Sequence, residues 1–452
     1  MNTRETLDLL REYESRNVLF TEPDGSWPIV WERAQGVNVW DAEGKKYLDL
    51  TAAFGVAAAG HANPRVIKAG QQQMETLTHA MGDVHPHARK AELARELSRV
   101  TFERWSGDLL KNSKPETQNS KLETRSPKLA TAKTIFCNSG FEAVEAALKT
   151  AMLTAGKYGV IAFQGGYHGL GYGTLNTTHR ELFRGPFRLQ LREFGSFVQF
   201  PTRAADLPVV ETLMRRHFQR GWVGAVLVEP IQARGGINVP PDGFLPLLRR
   251  LCDEHKALLV LDEIYTGFGR TGKWFACEHA GVIPDIICLG KALTGGFPLS
   301  ACVGRADAMD AAWPPSRGEA IHTSTFLGNP VGCAMALAQI EELRENDLPE
   351  RAAQLGEFLF SELSKIESSK IKLSARGVGL MAGLDFRLDN GAPDGESTMR
   401  VIKAMLREGY ILLPEGEHGN VVSFTPPLTI TKAQLTETLT ALQKVLNEIS
   451  AG

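Results

Sequence analysis

Paired cysteines are absent from this sequence. Its six cysteines are scattered over 452 residues, and no two of them form a Cys-x-x-Cys motif. Several lie inside apolar runs, as buried free thiols commonly do. A disulfide framework and a zinc site are therefore not expected.

A strong net charge and a long apolar run are absent as well. The 50 basic and 52 acidic residues leave a formal charge of -2, which gives no electrostatic reason to expect nucleic acid or an acidic membrane surface as a partner. The first residues predict a charged amphipathic helix rather than a signal peptide, and no uncharged stretch is long enough to span a bilayer. We expect a protein of the reducing, cytoplasmic compartment.

Strand-like apolar runs alternate with stretches of helical period from about residue 60 to residue 330. The clearest of these runs cover 134–137, 158–163, 225–229, 257–263 and 285–292. Such alternation predicts an α/β fold whose mostly parallel sheet is covered on both faces.

The chain is expected to divide into three parts. Residues 1–59 form an N-terminal segment that contributes to a small domain, 60–331 form a large domain, and 332–452 form a small C-terminal α+β domain. Residues 106–133 are polar and poor in aromatic residues, a composition that favours a mobile surface insertion.

Two ionisable residues directly follow apolar runs of the predicted sheet. Asp262 follows AlaLeuLeuValLeu, and Lys291 closes AspIleIleCysLeuGlyLys. Such groups are costly to bury without a partner. A carboxylate that can hold a pyridinium nitrogen and a lysine that can form a Schiff base are what pyridoxal 5'-phosphate (PLP) requires. The pair therefore points to PLP.

Three further segments carry groups that suit a flat, phosphorylated cofactor. Ser139 and Gly140 precede a helix start, where free N–H groups and the helix dipole favour a phosphate. In the Gly-Tyr-His-Gly turn, Tyr167 can stack on a ring and the glycines allow close approach. Thr325 lies in a hydroxyl-rich loop. Taken singly, each segment is better explained as an ordinary helix cap or turn, in which His168 is simply a satisfied histidine.

Residues 267–273 match the glycine and lysine spacing of a phosphate-binding P-loop. That loop requires Ser or Thr next and a helix after it. Here Trp274 follows, and the preceding strand ends in two carboxylates that repel phosphate. We therefore reject nucleotide binding at this segment.

The order of these segments resembles the class III (ω-type) PLP-dependent aminotransferases. Their signature is a strand ending in Asp-Glu, a Gly-x-Gly-Arg-x-Gly loop and a strand-borne Gly-Lys. The residues that match it in order are Asp262, Glu263, Gly267, Gly269, Arg270, Gly272, Gly290 and Lys291. The resemblance spans nearly the whole chain apart from 106–133. It implies fold type I of the PLP-dependent transferases, with a large PLP-binding domain and a smaller α+β domain.

The resemblance also implies three sets of site residues. The catalytic set is Lys291, Asp262, Tyr167 and Glu229. The cofactor-binding set is Ser139, Gly140, Phe141, Tyr167, His168, Glu229, Asp262, Tyr265, Lys291 and Thr325. The substrate-binding set is Arg376, Phe54 and Arg234.

The roles that the resemblance implies are specific. Lys291 forms the Schiff base and moves the proton, Asp262 keeps the pyridine nitrogen protonated, and Tyr167 stacks on the ring. Ser139 and the helix start hold the phosphate. Thr325 completes the phosphate cup of the neighbouring subunit, so the active unit is expected to be a homodimer, with a tetramer as the alternative.

Several positions depart from the family pattern. Tyr265 stands where a Gln usually contacts the 3'-oxygen of the ring, a bond that a phenol could still donate, and Phe141 replaces a small or hydroxyl residue. Arg376 is implied to grip a substrate carboxylate as a fork. Relatives that use ornithine or γ-aminobutyrate pair that arginine with an acid, but here Arg234 occupies the acid's position. Either two arginines favour an anionic substrate, or Arg234 points away.

The expected function is an aminotransferase that works by a ping-pong mechanism. It takes an amino group from an amine or from an ω- or β-amino acid and gives it to a keto acid such as 2-oxoglutarate or pyruvate. The same scaffold also serves amino acid racemases or epimerases, aminomutases and decarboxylating transaminases. A non-catalytic binding protein that kept the fold is a further alternative, which the intact Lys291 and Asp262 disfavour.

Overall fold

The computed structural model of the protein describes residues 1–112 and 130–451. The strands of these two ranges are β1 (Trp31–Gln35), β2 (Asn38–Asp41), β3 (Lys46–Asp49), β4 (Ala132–Cys137), β5 (Gly159–Phe163), β6 (Gly195–Val198), β7 (Val223–Val228), β8 (Leu258–Asp262), β9 (Ile286–Leu289), β10 (Ser300–Arg305), β11 (Lys372–Val378), β12 (Met381–Arg387), β13 (Tyr410–Ile411), β14 (Leu413–Glu415) and β15 (Val421–Phe424).

The α-helices of the same ranges are α1 (Thr3–Tyr13), α2 (Ala52–Gly55), α3 (Pro64–Thr76), α4 (Ala88–Ser98), α5 (Arg104–Asn112), α6 (Gly140–Ala155), α7 (Tyr172–Leu175), α8 (Glu181–Arg184), α9 (Leu207–Gln219), α10 (Phe244–His255), α11 (Ala306–Ala312), α12 (Pro330–Glu345), α13 (Leu348–Leu363), α14 (Gly395–Arg407) and α15 (Lys432–Ala451). No helix of the described ranges is both long enough and apolar enough to cross a membrane.

A seven-stranded sheet in the order β4-β10-β9-β8-β7-β5-β6 forms the core. Strand β10 runs antiparallel to both of its neighbours, and the remaining pairs are parallel. Strands β5, β7, β8 and β9 are buried along their whole length, which explains their unbroken apolar sequences. The predicted α/β fold with a mostly parallel sheet is confirmed.

The parallel strands bring the candidate residues to one edge of this sheet. Asp262 ends β8, Lys291 follows β9, and Glu229 follows β7. Tyr167 lies in the loop after β5, and Ser139 lies between β4 and α6. Because the carboxyl ends of parallel strands lie at the same edge, residues that are far apart in sequence converge there.

Two smaller sheets join the ends of the chain. In the first, β1, β2 and β3 form an antiparallel meander, and β13 from the C-terminal part pairs with β3 in parallel. The second is antiparallel in the order β11-β12-β15-β14. The division at 59 and 331 stays a prediction.

The two ends of the segment 106–133 lie in regular elements, and its prediction as a mobile surface insertion stays a prediction. Helix α5 continues to Asn112, and β4 begins at Ala132. Trp105 docks the start of α5, since its buried ring packs edge-on against Phe275 at 5.7 Å and its indole N–H donates to Glu278. Residues 113–129 lie outside the described ranges.

Candidate active site

A cavity of about 330 Å³ opens at the carboxyl edge of the central sheet. It brings together most of the residues that the sequence singled out. Those that line it are Ser139, Gly140, Phe141, Tyr167, His168, Glu229, Arg234, Asp262, Tyr265 and Lys291. The remaining candidates, Phe54, Thr325 and Arg376, do not line it.

A buried histidine holds the carboxylate of Asp262. Nδ1 of His168 lies 2.8 Å from Oδ2 of Asp262, and both side chains are at most 5% exposed. The backbone N–H of His168 donates to Thr178 Oγ1 at 2.9 Å, and Asp262 Oδ1 accepts from the N–H of Ile264 at 3.2 Å. The carboxylate therefore has a fixed orientation at the cavity floor.

The neighbouring carboxylate, Glu263, turns away from the cavity. It accepts hydrogen bonds from the backbone N–H groups of Ala276 at 2.9 Å and Cys277 at 2.8 Å, and from the hydroxyl of Thr266 at 2.5 Å. Burial raises the pKa of Glu263 to about 7. Successive side chains of a strand point to opposite faces. Asp262 therefore faces the cavity, while Glu263 binds the backbone of the following loop.

Lys291 presents its amine to the cavity from a strained position. Its φ of 45° is left-handed, a conformation that costs an L-residue roughly 1–2 kcal/mol. Burial lowers the pKa of its amine, which increases the neutral, nucleophilic fraction. Nζ lies 4.7 Å from the centroid of the Tyr265 ring, and the amine forms no salt bridge within residues 1–112 and 130–451.

Tyr265 differs from its expected use. Its hydroxyl lies 3.1 Å from Thr425 Oγ1, and its ring face is turned towards the amine of Lys291. The phenol that was expected to contact the 3'-oxygen of the cofactor ring therefore already has a hydrogen-bond partner in this structure. Its contact with the cofactor stays a prediction.

The start of α6 offers an unused hydroxyl. The carboxylate of Glu142 accepts from the N–H groups of Asn138 at 2.7 Å and Ser139 at 3.0 Å. The buried Oγ of Ser139 has no hydrogen-bond partner among the described residues. An orphaned hydroxyl at a helix N-terminus, inside a cavity that also holds a buried amine and a fixed carboxylate, fits PLP.

Glu229 ties two loops of the cavity wall together. Its carboxylate accepts from the N–H of Tyr167 at 2.9 Å and from the N–H of Ala233 at 3.0 Å. Burial raises the pKa of Glu229 to about 7. The ring of Tyr167 is thereby held at the cavity, with the guanidinium carbon of Arg234 5.0 Å from its centroid.

Arg376, which was expected to grip a substrate carboxylate, is bonded to other groups in this structure, and its role towards substrate stays a prediction. Its guanidinium donates to the carbonyl oxygens of Gly236 and Ile237, at 2.6 to 3.0 Å, and to the carboxylate of Asp385 at 2.8 Å. These bonds commit Arg376 to the junction between β11, β12 and the loop after β7. Arg234, by contrast, does point into the cavity.

Phe54 and Thr325 lie outside the cavity. Phe54 is 51% exposed and occupies α2, a left-handed turn in which Ala53 and Phe54 have φ of 49° and 62°. The neighbouring Gly55 approaches Tyr265, so Phe54 is close to the cavity without lining it. Thr325 is exposed. Its contribution to a partner's phosphate cup stays a prediction.

Sequence reasoning missed Glu415 at the end of β14. Its side chain is 5% exposed, and Oε2 lies 3.8 Å from Nε of Arg234. Burial raises the pKa of Glu415 to about 7. An acid at the end of an apolar strand was the pattern that identified Asp262, and the same pattern applied to residues 410–415 finds Glu415.

The cavity and the sheet around it define a PLP-dependent enzyme with the type I fold of the PLP-dependent transferases. The family model "Aminotransferase class-III" matches residues 20–446. The chain belongs to the class-III aminotransferases. This confirms the resemblance read from the signature residues.

Known relatives agree with this assignment. The chain is 34% identical to 5-aminovalerate aminotransferase DavT of Pseudomonas aeruginosa, with 94% of each chain covered. It is 36% identical to putrescine aminotransferase of Pectobacterium atrosepticum, with 99% of this chain and 89% of the relative covered. An amine transaminase from an uncultivated Pseudomonas species, solved in its PLP-bound form, superposes with a TM-score of 0.82 at 26% identity, covering 96% and 98% of the two chains.

As a member of this family, the protein moves an amino group from an amine or amino acid to a keto acid, with PLP as its cofactor and a ping-pong mechanism. The relatives named above are aminotransferases, which confirms the transamination expected from the sequence. The comparisons likewise do not support the hypothesis that the protein is a non-catalytic binding protein.

Proposed function

We propose that the cavity transfers the amino group of a terminal primary amine, with Lys291 as its nucleophile and proton carrier. When bound, PLP supplies a carbonyl carbon for amine capture and a ring that accepts the electron pair of a broken C–H bond. The observation that carries the proposal is the convergence of the Lys291 amine and the Asp262 carboxylate on one cavity. The chain's own residues supply the rest of the chemistry.

Lys291 acts through its neutral amine. Because burial lowers its pKa, Nζ is able to attack a carbonyl carbon and afterwards to take up a proton. The ring face of Tyr265 excludes water on one side of Nζ and stabilises the ammonium form once the proton has arrived. The ammonium form of Lys291 is then a proton donor at the cavity, and release of the amino donor as a carbonyl product consumes one water molecule.

Asp262 holds a cation at the cavity floor. The hydrogen bond to His168 fixes its carboxylate, and burial of both groups strengthens the attraction for a protonated pyridine nitrogen. Glu229 positions the Tyr167 ring through the backbone N–H, so that the ring can stack on a flat cofactor. Ser139 Oγ and the N-terminus of α6 receive the phosphate.

The donor class rests on the relatives. Putrescine and 5-aminovalerate, after which two of them are named, both carry a primary amine at the end of an unbranched chain. We infer the same donor chemistry for this chain, with a keto acid as acceptor. We further propose a homodimer in the cytoplasm, in which Thr325 completes the partner's phosphate site. Exposed apolar side chains beside Thr325, those of Ile321 and Phe326, support such a contact.

A panel of donors in the half-reaction tests the proposed donor class. Holoenzyme is mixed with putrescine, 5-aminovalerate or L-alanine without a keto acid, and conversion of the cofactor from its aldehyde to its amine form is followed by absorbance. We expect the terminal amines to react at least about tenfold faster than L-alanine, because two of the relatives are named after donors with a terminal amine. A faster reaction with L-alanine would contradict the donor class while leaving transamination itself intact.

A further inference from the structure

Arg234 and Glu415 form an ion pair at the wall of the active-site cavity. Arg234 lies in the loop after β7 and Glu415 ends β14, so the pair joins the central sheet to the C-terminal antiparallel sheet. The side chain of Arg234 is 38% exposed, while that of Glu415 is 5% exposed. The arginine is therefore the partner that can move, and the acid is the fixed partner.

The contact between the two side chains is loose. Nε of Arg234 lies 3.8 Å from Oε2 of Glu415, beyond hydrogen-bond distance, and this buried nitrogen has no hydrogen-bond partner within the described ranges. The guanidinium carbon lies over the Tyr167 ring, 5.0 Å from its centroid. A guanidinium with unused donors and only a loose ionic contact is able to exchange one carboxylate for another.

Nearby arginines are occupied elsewhere. Arg376 donates hydrogen bonds to Gly236, Ile237 and Asp385, and it does not line the cavity. Arg180 donates to the carbonyl oxygen of Arg234, which fixes the loop but not the guanidinium. Among the residues that the structure describes, Arg234 is thus the arginine available to a ligand in the cavity.

The reaction requires one cavity to accept two different groups at the same place. A keto acid carries a carboxylate beside its reacting carbon, whereas a terminal amine carries a methylene there. A free guanidinium favours the first substrate and is unfavourable beside the second. This conflict is removed if an acidic side chain pairs with the guanidinium whenever no substrate carboxylate is present.

We propose that Arg234 is the substrate-carboxylate receptor of this enzyme and that Glu415 is the residue on which it rests while a terminal amine occupies the cavity. The resemblance to the family implies an acid at position 234, so the proposed arrangement has the reverse polarity, with the acid supplied by β14. The inference builds on the proposed terminal-amine donor.

Equilibrium binding of glutarate to the holoenzyme tests the receptor. Glutarate carries two carboxylates but no amine and no keto group, so it binds without reacting. Isothermal titration calorimetry gives its Kd. We expect Arg234→Gln to raise this Kd about tenfold or more, because a charge-assisted fork is lost. Arg234→Lys keeps the charge without the fork and should fall between the two. Arg188→Gln, which removes an exposed arginine outside the cavity, should leave the Kd unchanged.

Removal of the charge of Glu415 should have opposite effects on the binding of a carboxylate and on the binding of a terminal amine. Glu415→Gln removes the competing acid, so the Kd of glutarate should fall severalfold. In the half-reaction, the putrescine concentration that gives half of the maximal rate should rise, while the maximal rate should change little. Arg188→Gln should leave the putrescine half-reaction within about twofold of the natural enzyme. Arg234→Gln alters a partly exposed side chain, so its effect on glutarate binding tests the proposal even if Glu415→Gln does not fold.

Two results would overturn the inference. One is an unchanged Kd for glutarate in Arg234→Gln, which assigns the carboxylate to another group. The other is a Glu415→Gln enzyme in which glutarate and putrescine weaken together. A failure of the proposed donor class looks different, because the natural enzyme then shows no reaction with putrescine while glutarate binding still depends on Arg234.

Discussion

Lys291→Ala should lower kcat for transamination by about a thousandfold or more, because the variant loses both the nucleophile and the proton carrier of the cavity. No other lysine lines this cavity in the part of the chain that the structure describes. The measurement is single-turnover conversion of the cofactor with putrescine. A parallel thermal melt should show little loss of stability, since replacing Lys291 also removes a buried amine.

The matched control is Lys273→Ala. Lys273 belongs to the segment with P-loop-like spacing. Among residues 1–112 and 130–451, its Nζ donates only to the carbonyl oxygen of Glu278 at 3.1 Å, at the protein surface. We expect this variant to keep its activity within about twofold. Equal losses in Lys273→Ala and Lys291→Ala would show that the segment 267–273 takes part in the reaction.

Asp262→Asn should reduce kcat by about a hundredfold to a thousandfold. The amide has nearly the same shape and is still able to hydrogen-bond to His168, but it no longer attracts a protonated ring nitrogen. Cofactor content should be measured together with kcat, so that weaker binding is separated from slower chemistry. Activity within tenfold of the natural enzyme at full cofactor content would contradict the role given to Asp262.

The adjacent carboxylate gives a control with a different signature. Glu263→Gln should leave kcat of the folded enzyme nearly unchanged and should alter the pH dependence of stability. Because burial raises the pKa of Glu263 from 4.5 to about 7, the folded chain holds a proton that the unfolded chain releases. This contribution is complete below the unfolded pKa and is lost as the pH rises through the folded one.

The stability advantage of the natural chain over Glu263→Gln should therefore shrink as the pH rises from about 5 to about 8, by at most roughly 3 kcal/mol. Urea unfolding of both chains across this range measures it. A difference that grows with pH would mean that the hydrogen bonds from Ala276 and Cys277 outweigh burial.

Much of the fold and site could be predicted because the chemistry lies at strand ends. The apolar runs before Asp262 and Lys291 are buried strands, and a parallel sheet necessarily places their carboxyl ends at one edge. Ser139, Tyr167 and Glu229 follow other strands of that sheet and converge with them for the same reason. These placements depend on local pattern and topology alone.

Side-chain pairing across the chain could not be predicted in the same way. The partner of Arg376 turned out to be Asp385, on the adjacent strand, together with two backbone carbonyl groups that no sequence pattern marks. Arg234 meets Glu415 only because the C-terminal sheet packs beside the cavity. Phe54 was displaced by a left-handed turn of non-glycine residues, which conformational preferences disfavour.

The central claim is that the amine of Lys291 is the group that binds the cofactor covalently. Borohydride reduction of the holoenzyme, followed by peptide mass mapping, tests it most directly. The account predicts that the reduced cofactor is attached to the peptide that contains Lys291, in a ratio of about one per chain, and to no other lysine. Attachment to a different lysine, or a holoenzyme that reduction leaves unlabelled, would contradict the account.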